Sequence, residues 1–218
     1  MGAKIIMTLS FNYNQDKDVW CLLNKGKSSN NSPQPTKVYE SLVAKYGDNP
    51  SEIDTKSFID FYFTENNVSI ERCIEKYLAD WQLVSDEYHK RAKNIFGTEL
   101  PEDICAYLTI NNRNPYSIAD SMFYVSVPRE TIRKTIMHEL WHFYTWYGLG
   151  VDQETKLGKE KYNELKESLT VLLNVECGDL LPDGVVDEGY PQHQALRKNI
   201  SELWSTHKDI KQVWELIQ

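Results

Sequence analysis

The chain has 218 residues, 41% hydrophobic and 26% charged, ordinary values for a globular protein with a sizeable core. Its 13 Tyr and 6 Trp argue against disorder, and a net charge of −8 gains no counterion release from phosphates, so nucleic-acid binding is not expected. No run approaches the roughly 18 apolar residues that span a bilayer, and MGAKIIMTLSFNYNQ at the N-terminus lacks the unbroken core and small-residue cleavage site of a secretory signal.

A cytoplasmic protein, or a mature form whose signal has been removed, is therefore expected, without a membrane partner. Cys21, Cys73, Cys105 and Cys177 form no CxxC pair, so reduced thiols are expected and a zinc–thiolate site is not. Oligomeric state leaves no trace in the sequence.

Residues 4–13, KIIMTLSFNY, are expected as a strand. Residues 25–36, KGKSSNNSPQPT, read as a polar loop and the segment best suited to mobility. A short helix is expected over 36–46, stopping at Gly47. The longest helical pattern covers 69–96, where Ile70, Cys73, Ile74, Tyr77, Leu78, Trp81, Val84, Tyr88, Ala92, Ile95 and Phe96 recur at helical spacing and Gly97 follows. ICAYLTI at 104–110 and MFYVSV at 122–127 read as strands.

Pro128 is placed to open a helix running to about Tyr147, since a first-turn residue needs no N–H. Another helix is expected over 159–175, and one or two more over 192–217. The class is α+β, mainly helical in the C-terminal half. A single domain, 1–218, is expected; if it divides, the parts are 1–147, with the sheet and the helix ending at Tyr147, and 148–218.

The helix after Pro128 contains His138-Glu139-Leu140-Trp141-His142. Positions i and i+4 share a helix face, so His138 and His142 can direct two imidazoles at one ion. Glu139 is rotated about 100° from His138, beside such an ion rather than on it. There it can take a proton from a water that zinc polarises. Between Thr135 and Tyr144 the only charge is Glu139, as the floor of a cleft requires. Two histidines and a glutamate can also be ordinary surface residues, but Leu140, Trp141 and Phe143 argue against a solvent-facing helix.

TIMHELWHFY resembles the active-site helix of the zincin metallopeptidases, and MFYVSV resembles the edge strand that lies beside that helix and pairs with the substrate backbone. The resemblance covers roughly residues 104–175. It implies a zincin-like fold, Zn2+ held by His138 and His142, Glu139 as general base and proton shuttle, and a peptide or protein substrate.

The third zinc ligand distinguishes subclasses. The long metzincin form needs Gly at 145 and His at 148, where this chain has Thr145 and Gly148. The gluzincin pattern takes a Glu from the next helix, here KEKYNELKESLTVLLN. Glu167, heading the apolar ESLTVLLN, is the preferred ligand and Glu164 the next; Asp187 in GVVDEGY is a weaker alternative. A Glu that is not the ligand can orient a ligand histidine. The acidic residue that gluzincins often carry four positions after the Glu is absent, since Ser168 and Val171 stand there.

Tyr190 and His193, in GYPQHQALR, are candidate donors to a transition-state oxyanion. Arg197, at i+4 from His193, reads more simply as an exposed residue, and His89 and His207 carry no assigned role. A zincin-like binding or regulatory module without activity, and a zinc hydrolase of a non-peptide amide, are the alternatives to a peptidase.

Overall fold

The computed structural model describes residues 7–28 and 33–218. Residues 4–6 of the expected first strand and 29–32 of the expected loop lie outside the described residues. The elements are β1 (Thr8–Asn12), α1 (Gln15–Cys21), a π-helical turn (Leu22–Gly26), α2 (Lys37–Tyr46), α3 (Glu52–Glu65), α4 (Ile70–Gln82), α5 (Ser85–Phe96), β2 (Asp103–Thr109), β3 (Tyr116–Ser117) and β4 (Met122–Ser126). Then come α6 (Arg133–Leu149), α7 (Gln153–Leu157), α8 (Lys159–Leu169), α9 (Val171–Glu176), α10 (Gln194–His207) and α11 (Ile210–Ile217). The class is α+β, as the sequence indicates. Among the described residues no helix is long and apolar enough to cross a membrane.

The chain divides into two compact units. One comprises the residues up to Asp80 together with Pro101–Ile132; the other comprises Trp81–Leu100 and Arg133–Gln218. The boundary differs from the expected 147/148, because α6 belongs with the C-terminal helices and not with the sheet.

In the first unit the strand order is β1-β2-β4-β3. β2 runs parallel to both β1 and β4, whereas β3 pairs antiparallel with β4. Leu9 and Phe11 on β1, Ile104, Ala106 and Leu108 on β2, and Phe123 and Val125 on β4 are buried. Period-two alternation puts each strand's set on one face. β4, expected at the edge, is an inner strand: β3 covers Met122 and Phe123, and the Tyr124 N–H donates to the Pro115 carbonyl at 2.9 Å. The two-residue β3 is too short to leave a periodic signature.

The described flanks of the polar loop are held by Arg113, whose guanidinium donates to the carbonyls of Lys25, Gly26 and Gln34. Asp18, within α1, is fully buried and accepts hydrogen bonds from Thr109 Oγ1 at 2.6 Å and the Ile110 N–H at 3.1 Å.

Pro128 does not open α6, which starts at Arg133. The intervening residues bond elsewhere: the Arg129 N–H donates to Tyr77 Oη, and Thr131 Oγ1 donates to Asp80 Oδ2. The pattern over 69–96 is two helices, α4 and α5, broken at Leu83–Val84. Trp81, Val84 and Tyr88 are all buried, so the apolar spacing carries across the break unchanged. Likewise 159–175 is broken at Thr170 into α8 and α9.

In the second unit α6 is the central helix. Ile136, Met137 and the seven residues Glu139 to Thr145 are buried, on every side of the axis. α5 and α8 pack against it. Phe96 meets Trp141 edge-on at 5.0 Å and stacks on Tyr144 at 5.9 Å, while Tyr88 Oη donates to the Met137 carbonyl at 2.8 Å. Gly148 permits this approach, since a Cβ there would lie 2.8 Å from Phe96 Cβ.

Candidate metal centre

One turn of α6 separates His138 from His142. Their rings stand edge to face, centroids 4.6 Å apart, with Nε2 facing Nε2 at 3.1 Å. α8 brings Glu167 against both: Oε2 lies 3.4 Å from His138 Nε2 and Oε1 lies 3.5 Å from His142 Nε2. Donors about 2.0–2.1 Å from a tetrahedral zinc are separated from one another by about 3.3–3.4 Å. The nitrogen–nitrogen separation and the distance from each nitrogen to its nearer Glu167 oxygen are of that order, although the two histidines face different oxygens of the carboxylate. At 3.1 Å the facing nitrogens can share a hydrogen bond, one ring donating its N–H and the other accepting according to tautomer. His138, His142 and Glu167 could hold a metal ion.

The far side of His138 is equally constrained. Its Nδ1 lies 2.7 Å from Asp187 Oδ2, a pairing that fixes Nε2 as the outward donor atom. Asp187 is buried and held in turn. Thr170 Oγ1 donates to its Oδ1 at 2.8 Å, Arg197 Nη2 reaches Oδ1 at 3.0 Å, and its main chain exchanges two hydrogen bonds with the Asn174 amide. Arg197 also donates to the Asp187 carbonyl and to Thr170 Oγ1. Gly189, at φ +63°, leaves room for the guanidinium, since a Cβ there would lie 2.6 Å from Nη1. The Glu167 carbonyl also lies 2.8 Å from Thr170 Oγ1, so the single hydroxyl proton is shared between it, at the end of α8, and Asp187 Oδ1.

Electrostatics follow from burying three acids with few bases. Burial pushes the Glu139 carboxyl up to about 8, with His138 and Lys166 opposing and Glu167 adding to the rise. Burial drives His142 down to about 3, assisted by the Lys166 charge. His138 goes the other way: burial opposes its charge, but the Asp187 and Glu167 carboxylates hold it well above the usual imidazole range. Asp187 drops to about 2; burial works against its charge, and the bond to His138 outweighs it.

Among the three carboxylates considered as third ligand, the cluster therefore includes Glu167. Glu164 faces Lys161 at 3.3 Å with 42% of its side chain exposed, and Asp187 lies behind His138. Glu139 is buried beside the histidines and outside the donor set. Tyr190 and His193 pack edge to face, centroids 5.5 Å apart. His193 is buried and its Nδ1 has no hydrogen-bond partner among the described residues. Arg197 is not exposed, as its position on α10 suggests, but 97% buried around Asp187.

Lys166, Thr170 and Asn174 escaped the sequence reading. Lys166 is buried, with Nζ 2.7 Å from Glu167 Oε1. A lysine in KEKYNELKESL carries no signal of burial; the signal available was the apolar run beginning at Leu169. No protein-family model matches the chain, and neither the curated proteins nor the solved structures compared with it include a match.

Proposed function

We propose that the chain is a zinc-dependent hydrolase of the zincin type, gluzincin-like in its ligand set, acting on peptide bonds. The observation that carries the reading is the cluster of His138 Nε2, His142 Nε2 and the Glu167 carboxylate, the nitrogens 3.1 Å apart, Oε2 3.4 Å from His138 and Oε1 3.5 Å from His142, backed by Asp187 on His138 Nδ1. His138, His142 and Glu167 would hold the zinc. When bound, zinc supplies Lewis acidity and brings the pKa of a water toward about 7.

The protein's own groups do the rest. Glu139, adjacent to His138 but outside the donor set, accepts a proton from the attacking water and returns it to the leaving amine. His193 and Tyr190 are the candidate donors to the oxyanion; the unpartnered Nδ1 of His193 supports that role. Asp187, fixed by Arg197 and Thr170, keeps His138 in one tautomer.

A zinc hydrolase of a non-peptide amide is the second reading. It is favoured by the position of β4, whose first residues are covered by β3 and so offer no free edge to a peptide backbone. Cleavage of a peptide library by wild type and Glu139→Gln decides between the readings. The peptidase reading expects cleavage by wild type and a loss of roughly 10²–10⁴-fold in kcat/KM in the variant with zinc retained. A variant as active as wild type would remove Glu139 from the chemistry. A zinc-loaded wild type that cleaves small amides but no peptide would favour the second reading.

A further inference from the structure

Lys166 is the one charged group at the cluster that the chemistry above does not use. It is 3% exposed, and burying an ammonium is costly unless it is paired. Its Nζ sits 2.7 Å from Glu167 Oε1, within the range of a charge-assisted hydrogen bond. That placement is odd for a metal site. A lysine beside a dication is repelled by it and competes for the same carboxylate.

The geometry of Glu167 gives the placement a purpose. Its two oxygens are almost equivalent toward the histidines, Oε2 at 3.4 Å from His138 Nε2 and Oε1 at 3.5 Å from His142 Nε2. Left to itself, the carboxylate can offer both oxygens to one ion. Catalytic zinc works with three protein ligands and a position kept open. A chelating carboxylate fills that position. Only Oε1 is engaged by the ammonium, so only Oε2 is left with its full donor strength.

Resting on the metal-centre reading above, we propose that Lys166 is a positioning residue that restricts Glu167 to one ligating oxygen and so keeps a coordination position open. It also stands in for the metal: in the metal-free protein it neutralises a carboxylate that would otherwise be buried beside Glu139 and Asp187. The proposal reverses the usual effect of removing a group that braces a ligand. Such a removal typically weakens metal binding by roughly 10–100-fold. Here the group removed is a like charge and a competitor, and binding tightens.

Cobalt(II), whose visible absorption is strong in four-coordinate sites and weaker in higher coordination, is the probe. It is added to metal-free wild type, Lys166→Met, Lys166→Gln and Lys166→Arg, and both spectrum and affinity are read. Expected are an intense spectrum in wild type, weakened bands with roughly tenfold tighter binding in Lys166→Met, and a return to the wild-type spectrum in Lys166→Arg. Lys166→Gln keeps a donor without the charge and serves if the Met variant does not fold; tighter binding than wild type is expected there too. Unchanged bands, or weaker binding in both uncharged variants, would overturn the proposal while leaving the metal centre standing. Failure of wild type to take up cobalt would overturn the metal centre itself, and this proposal with it.

Discussion

The two nitrogens of His138 have separate tasks: Nε2 faces His142 and Glu167, while Nδ1 is committed to Asp187 at 2.7 Å. Replacing Asp187 by Asn keeps the shape but removes the charge that holds the ring and raises its basicity. Zinc affinity is then expected to fall by roughly 10–100-fold, measured by competition with a chromophoric chelator. Affinity within twofold of wild type would mean that Asp187 does not orient the ligand. The residue-level content of the site was legible in unequal parts. His138, Glu139 and His142 declare themselves because helical spacing alone puts them together. Glu167 was readable from the apolar segment it heads. Asp187 was placed as a possible ligand because a carboxylate in a turn carries no mark of which side of an imidazole it meets. Arg197 looked like a surface residue because its burial depends on the missing side chain of Gly189 and on partners 10 and 27 residues away.

At the scale of elements, α2 and α6 were readable and the breaks inside longer patterns were not. Trp81, Val84 and Tyr88 keep helical spacing across the turn between α4 and α5, so periodicity cannot reveal it. α3 was missed although Ser51 and Asp54 form a reciprocal cap at its start. Its apolar residues do not make a single stripe; Ile53 is 77% exposed while Phe58 and Ile59 are buried.

The junction of α1 and β2 allows a pH test. Burial lifts the Asp18 carboxyl to about 7, with the bonds from Thr109 and Ile110 opposing the rise. Its value in the unfolded chain is about 3.9. Between those values the folded protein holds a proton that the unfolded chain has released. Stability from this group is therefore complete below about pH 4 and declines as pH rises toward 7. In Asp18→Asn that decline disappears. Urea unfolding should show the difference between the two proteins changing by up to about 1.4 kcal/mol per pH unit across that window. A difference independent of pH would show that Asp18 titrates normally.

At the scale of the whole molecule, the sequence indicated an α+β chain with helices concentrated toward the C-terminus; the structure is α+β, but α1 to α5 precede β2, so the helices are spread along the chain. The division into units was not legible. Trp81–Leu100 joins Arg133–Gln218, leaving Pro101–Ile132 with the N-terminal residues. Such an interleaving depends on contacts between segments far apart in sequence, such as Phe96 with Trp141, which no local pattern records. All metal-site groups, from His138 to Arg197, nevertheless belong to one unit, so the centre does not depend on a second body for its ligands. The most direct test is the zinc content, by elemental analysis, of purified wild type and His142→Ala. About one zinc per chain in wild type, lost in the variant, is the predicted result. Wild type that carries no zinc and takes up none at micromolar concentration, or a variant that retains it, would contradict the metal centre on which the account rests.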